Sequence, residues 1–291
     1  MNETLKNLTQ IAIAVHPQNH TAFTVGEQVE GYLIKAGKEV VLGRMDEIDF
    51  QQAMAQQNPG VLIVLGGDGT MLRAGHLSGP RDLPILGINL GRFGFLTEIN
   101  QDEWTTALER LFAGEYWIEH RMMLRARHKR ESELLGEWNA LNEAVVSRGD
   151  VVRPIQLEIS INDRLLSTYI ADGIIAATPT GSTAYAMAAG GPILAPELRN
   201  IVLVPVAPHL SIEQSLVLDE KSTISITTRT EHKAMLTIDG QNPILLRDED
   251  EVEATVSDHT VQFIRFQDPG YFYRNLIPYM DRNPSIKDQD A

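Results

Sequence analysis

The segment Val61–Thr70, VLIVLGGDGT, runs an unbroken apolar stretch into two glycines and a carboxylate. An apolar run bounded by turn residues reads as a strand covered on both faces, as in a parallel sheet. Gly66 and Gly67 permit a sharp turn and a close backbone approach to a ligand. Asp68 then stands at the carboxyl end of a strand, where open α/β sheets place their ligand crevices. A glycine-lined turn beside a fixed carboxylate suits phosphoryl transfer to a hydroxyl, although an ordinary Asp-Gly turn between strand and helix reads the same way. Arg73 and Arg92 are candidates to neutralise phosphate charge, or else solvated arginines of a helix and a loop.

Two further segments carry chemistry. In Thr178–Pro192, TPTGSTAYAMAAGGP, Pro179 and Gly181 make a bend, Ser182 or Thr183 can cap a short helix AYAMAA, and Gly190-Gly191 stops it. Helix N-terminal amides with neighbouring hydroxyls can bind phosphate or ribose oxygens, and Tyr185 adds a ring able to face a base. A well-capped helix between strands is the structural alternative. Ala171–Gly173, ADG, supplies a carboxylate and a glycine just upstream. In Leu141–Ser147, LNEAVVS, Asn142 and Glu143 begin an apolar strand, and an amide paired with a carboxylate suits the vicinal hydroxyls of a ribose. A solvated strand end is the alternative there.

The elements that must position these groups change character along the chain. Strands at Ile11–Val15, Lys38–Leu42, Val61–Leu65 and Pro84–Ile88 alternate with helices at Thr24–Ala36, Phe50–Gln57, Met71–His76 and Trp104–Phe112. That alternation indicates parallel βαβ units. Beyond about residue 118, consecutive strands follow at Met122–His128, Gly136–Val146, Ile155–Ile161, Arg164–Tyr169, Gly173–Thr178, Asn200–Val206, Ser222–Thr228, Ala234–Ile238 and Glu251–Phe266. IND, TIDGQ and RDEDE read as hairpin turns between them. The expected fold is an N-terminal Rossmann-like α/β domain over 1–118 and a mostly antiparallel, β-sandwich-like domain over 119–267. Residues 268–291 are expected to pack back on the first domain, unless the polar last ten are simply disordered. Tyr271 and Tyr273 read as packing aromatics, with a ligand or subunit role as the alternative.

Composition narrows the partners. The chain has 291 residues and a formal charge of −14, which argues against a general nucleic-acid or membrane-surface role. Without cysteine it has no disulfide, thiolate metal site or cysteine nucleophile. No apolar run approaches a membrane span and no secretory leader is visible, so the expected location is the cytoplasm. The histidines lack HExxH spacing, no GxxxxGK[ST] occurs, and no residue is assigned as a metal ligand.

GGDGTMLRA (Gly66–Ala74), NLGRFGFLTE (Asn89–Glu98), LNEAVVSRG (Leu141–Gly149), DGIIAATPTGSTAY (Asp172–Tyr185), GGPI (Gly190–Ile193) and IDGQ (Ile238–Gln241) follow one another in that order. Together they resemble the NAD kinases, which phosphorylate the 2′-hydroxyl of the adenosine ribose of NAD, over Ile11 to Phe266. GGDGT alone is shared with lipid kinases, so a lipid or sphingoid kinase is one competing reading. A non-catalytic NAD(P)-binding sensor is another. TPTGSTAY after ADG, with Asn-Glu upstream, separates this chain from the first, and a binding-only site has no need of a base at Asp68.

The resemblance implies a Mg²⁺-dependent transfer from ATP or polyphosphate to NAD, with the ion held largely through the donor's phosphates. It also implies a homo-oligomer, tetramer or dimer. It makes Asp68 the proton acceptor and places Asp68, Gly69, Arg73, Asn142, Glu143, Arg153, Asp172, Thr183, Ala184, Tyr185, Ala186, Met187, Ala188, Ala207 and Gln241 against the dinucleotide. Gly66, Gly67, Thr70 and Arg92 fall to the phosphate donor. The chain departs from the family twice. Ile212–Ser215, IEQS, stands where an Arg-Pro is frequent after the Pro208-His209 turn, and Ala188 replaces a frequent serine.

Overall fold

A computed structural model describes residues 8–16, 20–91, 94–149, 153–209 and 213–281, apart from the side chains of residues 20 and 278–281. The chain forms two compact units, one comprising Met1–His120 and Val261–Ala291, the other Arg121–Thr260.

In the first unit β1 (Gln10–Val15), α1 (His20–Lys35), β2 (Glu39–Arg44), α2 (Ile48–Gln57), β3 (Val61–Leu65), α3 (Asp68–Ser78), β4 (Ile85–Asn89), β5 (Ile99–Asn100) and α4 (Trp104–Ala113) follow in chain order. The strands pair in parallel in the order β2-β1-β3-β4, and β5 continues beside the end of β4. Every residue of β3 and β4 is buried, which explains their unbroken apolar sequences: helices cover both faces of such a sheet. All these strands point their carboxyl ends the same way, so the turns after β2, β3 and β4 share one edge.

β6 (Trp117–Arg130) leads into the second unit. There follow β7 (Glu133–Ala140), β8 (Glu143–Arg148), β9 (Ile155–Ile161), β10 (Arg164–Ala171), β11 (Gly173–Ala177), α5 (Tyr185–Ala188), β12 (Asn200–Val206), β13 (Leu216–Asp219), β14 (Ile224–Arg229), β15 (Ala234–Ile238), β16 (Ile244–Leu246) and β17 (Glu251–Arg265). One antiparallel sheet runs β13-β12-β11-β8-β15-β16. A second joins β10, β9, β14 and the first residues of β17, and β6 pairs with β7. Val146, Ile174, Leu203 and Leu236 from the first sheet pack with Leu157, Ile159, Ile226 and Val252 from the second. This is the expected sandwich core. The opposite face of the first sheet, at Val145, Ile175, Val202 and Val204, is covered by Ala186 of α5.

β17 leads back to the first unit, where Phe263 pairs in parallel with Ile85 of β4, and α6 (Tyr271–Asp281) follows. Tyr271 and Phe272 are buried, with the Phe272 ring 6.2 Å from that of Phe95. Tyr273 is a packing residue only in part: its ring meets that of Phe272 edge-on at 5.4 Å, yet it is 60% exposed. Among the described residues no helix is long and apolar enough to cross a membrane.

Four other expectations need correction. Gly136–Val146 is not one strand: it breaks at Leu141-Asn142, β7 pairing with β6 while β8 joins the other sheet. α1 starts at His20, inside the segment read as a polar lead-in. α3 starts at Asp68 itself, with Gly67 as its N-cap. Two of the three hairpin turns behave as read, whereas RDEDE is no hairpin: it joins β16 of one sheet to β17 of the other. Asn162 and Asp163 (φ 51° and 61°) and Asp239 and Gly240 (φ 49° and 65°) take the left-handed pairs that two-residue primed turns require.

Candidate functional site

Asp68 is the first residue of α3, where the unpaired amides of a helix start favour a negative charge. Its carboxylate accepts hydrogen bonds from the amides of Phe95 (2.6 Å, on Oδ2) and Leu96 (3.1 Å, on Oδ1). Phe95 and Leu96 therefore lie against the GGDGT turn and fix both carboxylate oxygens. Gly94 makes this possible: a Cβ there would lie 1.8 Å from Asp68 Oδ1. The two glycines before Asp68 serve different ends. Neither adopts a left-handed conformation. Gly66 is needed because a Cβ would lie 2.3 Å from Thr70 Oγ1, whereas Gly67 faces open space and leaves its backbone approachable. Thr70 is buried against Gly66. Arg73, farther along α3, lines a cavity of about 270 Å³ with Met45, Asp46, Gln51, His76 and Leu77. Arg92 lies outside the described residues.

In the second unit, sequence segments far apart are knotted together. The Asp239 carboxylate, on the left-handed turn after β15, accepts the amides of Leu141 (2.7 Å), Asn142 (2.8 Å) and Glu143 (2.8 Å). The Asp239 amide returns a bond to the Glu143 carbonyl. Thr178 ties in from the other side, its amide donating to Asn142 O and its hydroxyl to Leu141 O. Gly181 rests directly on that turn, for a Cβ would lie 2.2 Å from Asn142 O. Arg121 reaches the same region, donating to Thr180 Oγ1.

Glu143 sits inside this knot, 7% exposed, and its Oε2 is buried with no hydrogen-bond partner among the described residues. Burial, and then the neighbouring Asp239 charge, push its carboxyl up to about 8. At neutral pH it is therefore mainly the protonated acid, a donor aimed at whatever binds there.

The TPTGSTAY hydroxyls do not cap α5 as expected. α5 has Ala184 as its N-cap, without a side-chain bond. Ser182 Oγ instead donates to Pro179 O and accepts the Leu194 amide, and Thr183 Oγ1 donates to Thr180 O. These short side chains satisfy the bend's own backbone, the usual competitor of helix capping. Ala184, Met187 and Thr183 are half-buried, Ala186 is buried, and Tyr185 and Ala188 are exposed. The stop at Gly190-Gly191 is as read, with Gly190 left-handed (φ 86°).

Asp172 and Ala207 lie together at the other end of β11. Asp172 pairs with Arg148 Nε at 3.0 Å, a partner that sequence gave no reason to expect. Its amide donates to Val206 O, which brings it beside Ala207, itself in a left-handed conformation (φ 45°) that only an over-determined site tolerates in alanine. Asp172 precedes β11 and Ala177, the partner of Glu143, ends it. At a strand rise of about 3.3 Å per residue, the backbone of Asp172 stands roughly 17 Å along the sheet from that of Glu143. Gln241 is exposed on the turn after Asp239, and Arg153 is exposed after the undescribed residues 150–152. Of the family departure after His209, Ile212 lies outside the described residues.

Residues 1–116 match the family model of the ATP-NAD kinase N-terminal domain, and 141–266 that of the ATP-NAD kinase C-terminal domain. The NAD kinase of Chloroflexus aggregans is 37% identical over 277 residues, covering 95% of this chain and all of the relative. That of Dehalococcoides mccartyi is 37% identical over 282 residues, covering 96% and 99%. Among solved structures, an Archaeoglobus fulgidus NAD kinase in complex with ATP aligns with a TM-score of 0.73 at 25% identity, over 94% of this chain and 99% of that one. Yeast NADH kinase complexed with NADH aligns at 0.81, over 97% and 90%, and at 23% identity it speaks to the fold alone. Likeness sustained through both domain models, and nearly end to end in each relative, makes this chain a phosphotransferase of the NAD kinase family.

Proposed function

We propose that the protein transfers the terminal phosphoryl group of ATP or polyphosphate to the 2′-hydroxyl of the adenosine ribose of NAD, giving NADP. The observation that carries this reading is the Asp68 carboxylate, held by two loop amides at the start of α3 beside the open backbone of Gly67. A carboxylate is too weak a base to strip a ribose hydroxyl in the ground state. It can orient that hydroxyl and take its proton as bonding to phosphorus develops, as the base of a phosphoryl transfer does.

The remaining roles rest on the family resemblance. Asn142 and protonated Glu143 would hold ribose hydroxyls, and Gly69, Arg73, Arg153, Asp172, the Thr183–Ala188 turn, Ala207 and Gln241 the rest of NAD. Gly66, Gly67, Thr70 and Arg92 would face the donor. The resemblance also implies a homo-oligomer, tetramer or dimer. Among the described residues no three carboxylate or imidazole groups gather as a cation cage. The resemblance implies Mg²⁺ carried largely by the donor's phosphates, since this ion favours phosphate oxygens, one or two carboxylates and water. When bound it would neutralise phosphate charge, while the orientation of the acceptor and the fate of its proton stay with Asp68. A cytoplasmic location follows from the same reading.

NADP formation from NAD, Mg²⁺ and ATP or polyphosphate tests the proposal. Asp68→Asn should lower kcat by about 10²–10⁴, the usual worth of a positioned base. Bound NAD with no turnover from either donor would overturn it.

A further inference from the structure

Leu96 is pinned at both of its backbone polar groups. Its amide donates to Asp68 Oδ1, and its carbonyl accepts Nη1 of Arg265 at 2.9 Å. Arg265, at the end of β17, is 2% exposed, and its Nε meets Glu119 Oε2 at 2.8 Å. The Tyr271 hydroxyl, from α6, donates to the same carboxylate at 3.1 Å. Burial works against the Arg265 charge, but Glu119, then Tyr271 and Glu98, keep the guanidinium above its ordinary value. The loop is anchored a second time by Glu98, whose carboxylate accepts the amides of Phe266 and Gln267. The Phe95 and Phe272 rings meet on its other side. Every member of this arrangement lies in the first unit, and nothing in the chemistry assigned to Asp68 accounts for so elaborate a buried charge.

We infer that Arg265, oriented by Glu119 and Tyr271, is a positioning residue for Asp68: it holds the Leu96 carbonyl so that the Phe95 and Leu96 amides aim the carboxylate at the acceptor hydroxyl. This rests on the reading of Asp68 as the base. The planar fork of arginine serves the role because one nitrogen addresses Leu96 while Nε engages Glu119. A lysine keeps the charge and loses the second point of attachment.

Four proteins test it: wild type, Arg265→Lys, Asp68→Asn and the double variant, each checked by circular dichroism. Displacing a reacting group by about 1 Å can cost 10²-fold, so Arg265→Lys should lower kcat by about tenfold or more with KM for NAD within about twofold. In the Asp68→Asn background the same change should move kcat by less than about twofold, the mark of two residues acting as one unit. Backbone amide exchange at Phe95 and Leu96 should accelerate in Arg265→Lys. Equal losses in both backgrounds, or unaltered exchange with unaltered kcat, would overturn the positioning role alone. Undiminished turnover in Asp68→Asn would overturn the base reading and the positioning role with it. Should Arg265→Lys fail to fold, Tyr271→Phe carries the same cycle, with an expected loss of about threefold in kcat.

Discussion

Around Asp68 the chain brings donors to a carboxylate, while around Glu143 it takes them away. Asp68 meets two amides from a loop 27 and 28 residues downstream. Glu143 lies beside a carboxylate, Asp239, that collects three amides, including Glu143's own, and leaves the Glu143 side chain buried with Oε2 unpartnered. The first arrangement fixes a carboxylate in direction. The second fixes a neighbouring turn and leaves a carboxylic acid protonated near neutrality, able to donate as well as accept. Residue type alone therefore does not assign a role; the amides nearby do.

The comparison breaks most sharply at Gly94. Gly94→Ala places a methyl 1.8 Å from Asp68 Oδ1, so either the loop or the carboxylate must move. Turnover should fall by about 10²–10⁴, as if the base itself were gone. Retention of wild-type kcat in a folded variant would show that the Asp68 clamp is not needed.

Next comes Asp239→Ala, which strands three amides that had a charged acceptor. Hydrogen bonds to charged groups are worth about 1.5–3 kcal/mol each, and their loss is not additive, so urea unfolding should report about 3 kcal/mol or more of destabilisation. A loss under 1 kcal/mol, on the order of a surface change, would mean that water replaces the carboxylate.

Glu143→Gln sharpens the contrast through pH. Because the folded protein holds Glu143 at about 8, above its unfolded value near ~4.3, its contribution to stability is complete in acid and is lost as pH rises towards that folded value. The glutamine variant does not titrate. Its urea midpoint should therefore gain on wild type between about pH 5 and 8, and parallel curves would place the Glu143 charge in solvent.

The smallest effect belongs to Tyr185→Ala. With 45% of the ring exposed, stability should change by no more than about 0.5 kcal/mol. KM for NAD should rise by about tenfold if the ring faces the base, the equivalent of roughly 1.4 kcal/mol of stacking. An unchanged KM would leave Tyr185 a solvated side chain.

Local order was legible in the sequence wherever its cause was local. The apolar β3, the glycine stop after α5 and the Asn162-Asp163 hairpin follow from pattern and turn chemistry within a few residues. The break inside Gly136–Val146 was hidden because its cause, Asp239, lies 96 to 98 residues away. Ser182 and Thr183 misled for a related reason: a hydroxyl beside a helix start can cap it or satisfy the bend before it, and spacing does not distinguish the two. Gly94 stands in a motif the resemblance singled out, yet nothing in that motif shows that a carboxylate occupies the place of its Cβ. Arg265 gave one signal that could have been followed, a charge set inside the short apolar run Phe263–Phe266.

Synthesis from the N-terminus gives the Leu96 carbonyl an order of assembly. When a ribosome has released Asp68 and Leu96, their bond can form at once, but the guanidinium that closes on the carbonyl is 169 residues downstream. Nascent chains fold domain by domain as they emerge, so for most of its translation the GGDGT turn has its carboxylate without its brace. A ribosome stalled before Arg265 would thus present the GGDGT turn with its two loop amides but without the guanidinium that closes on the Leu96 carbonyl.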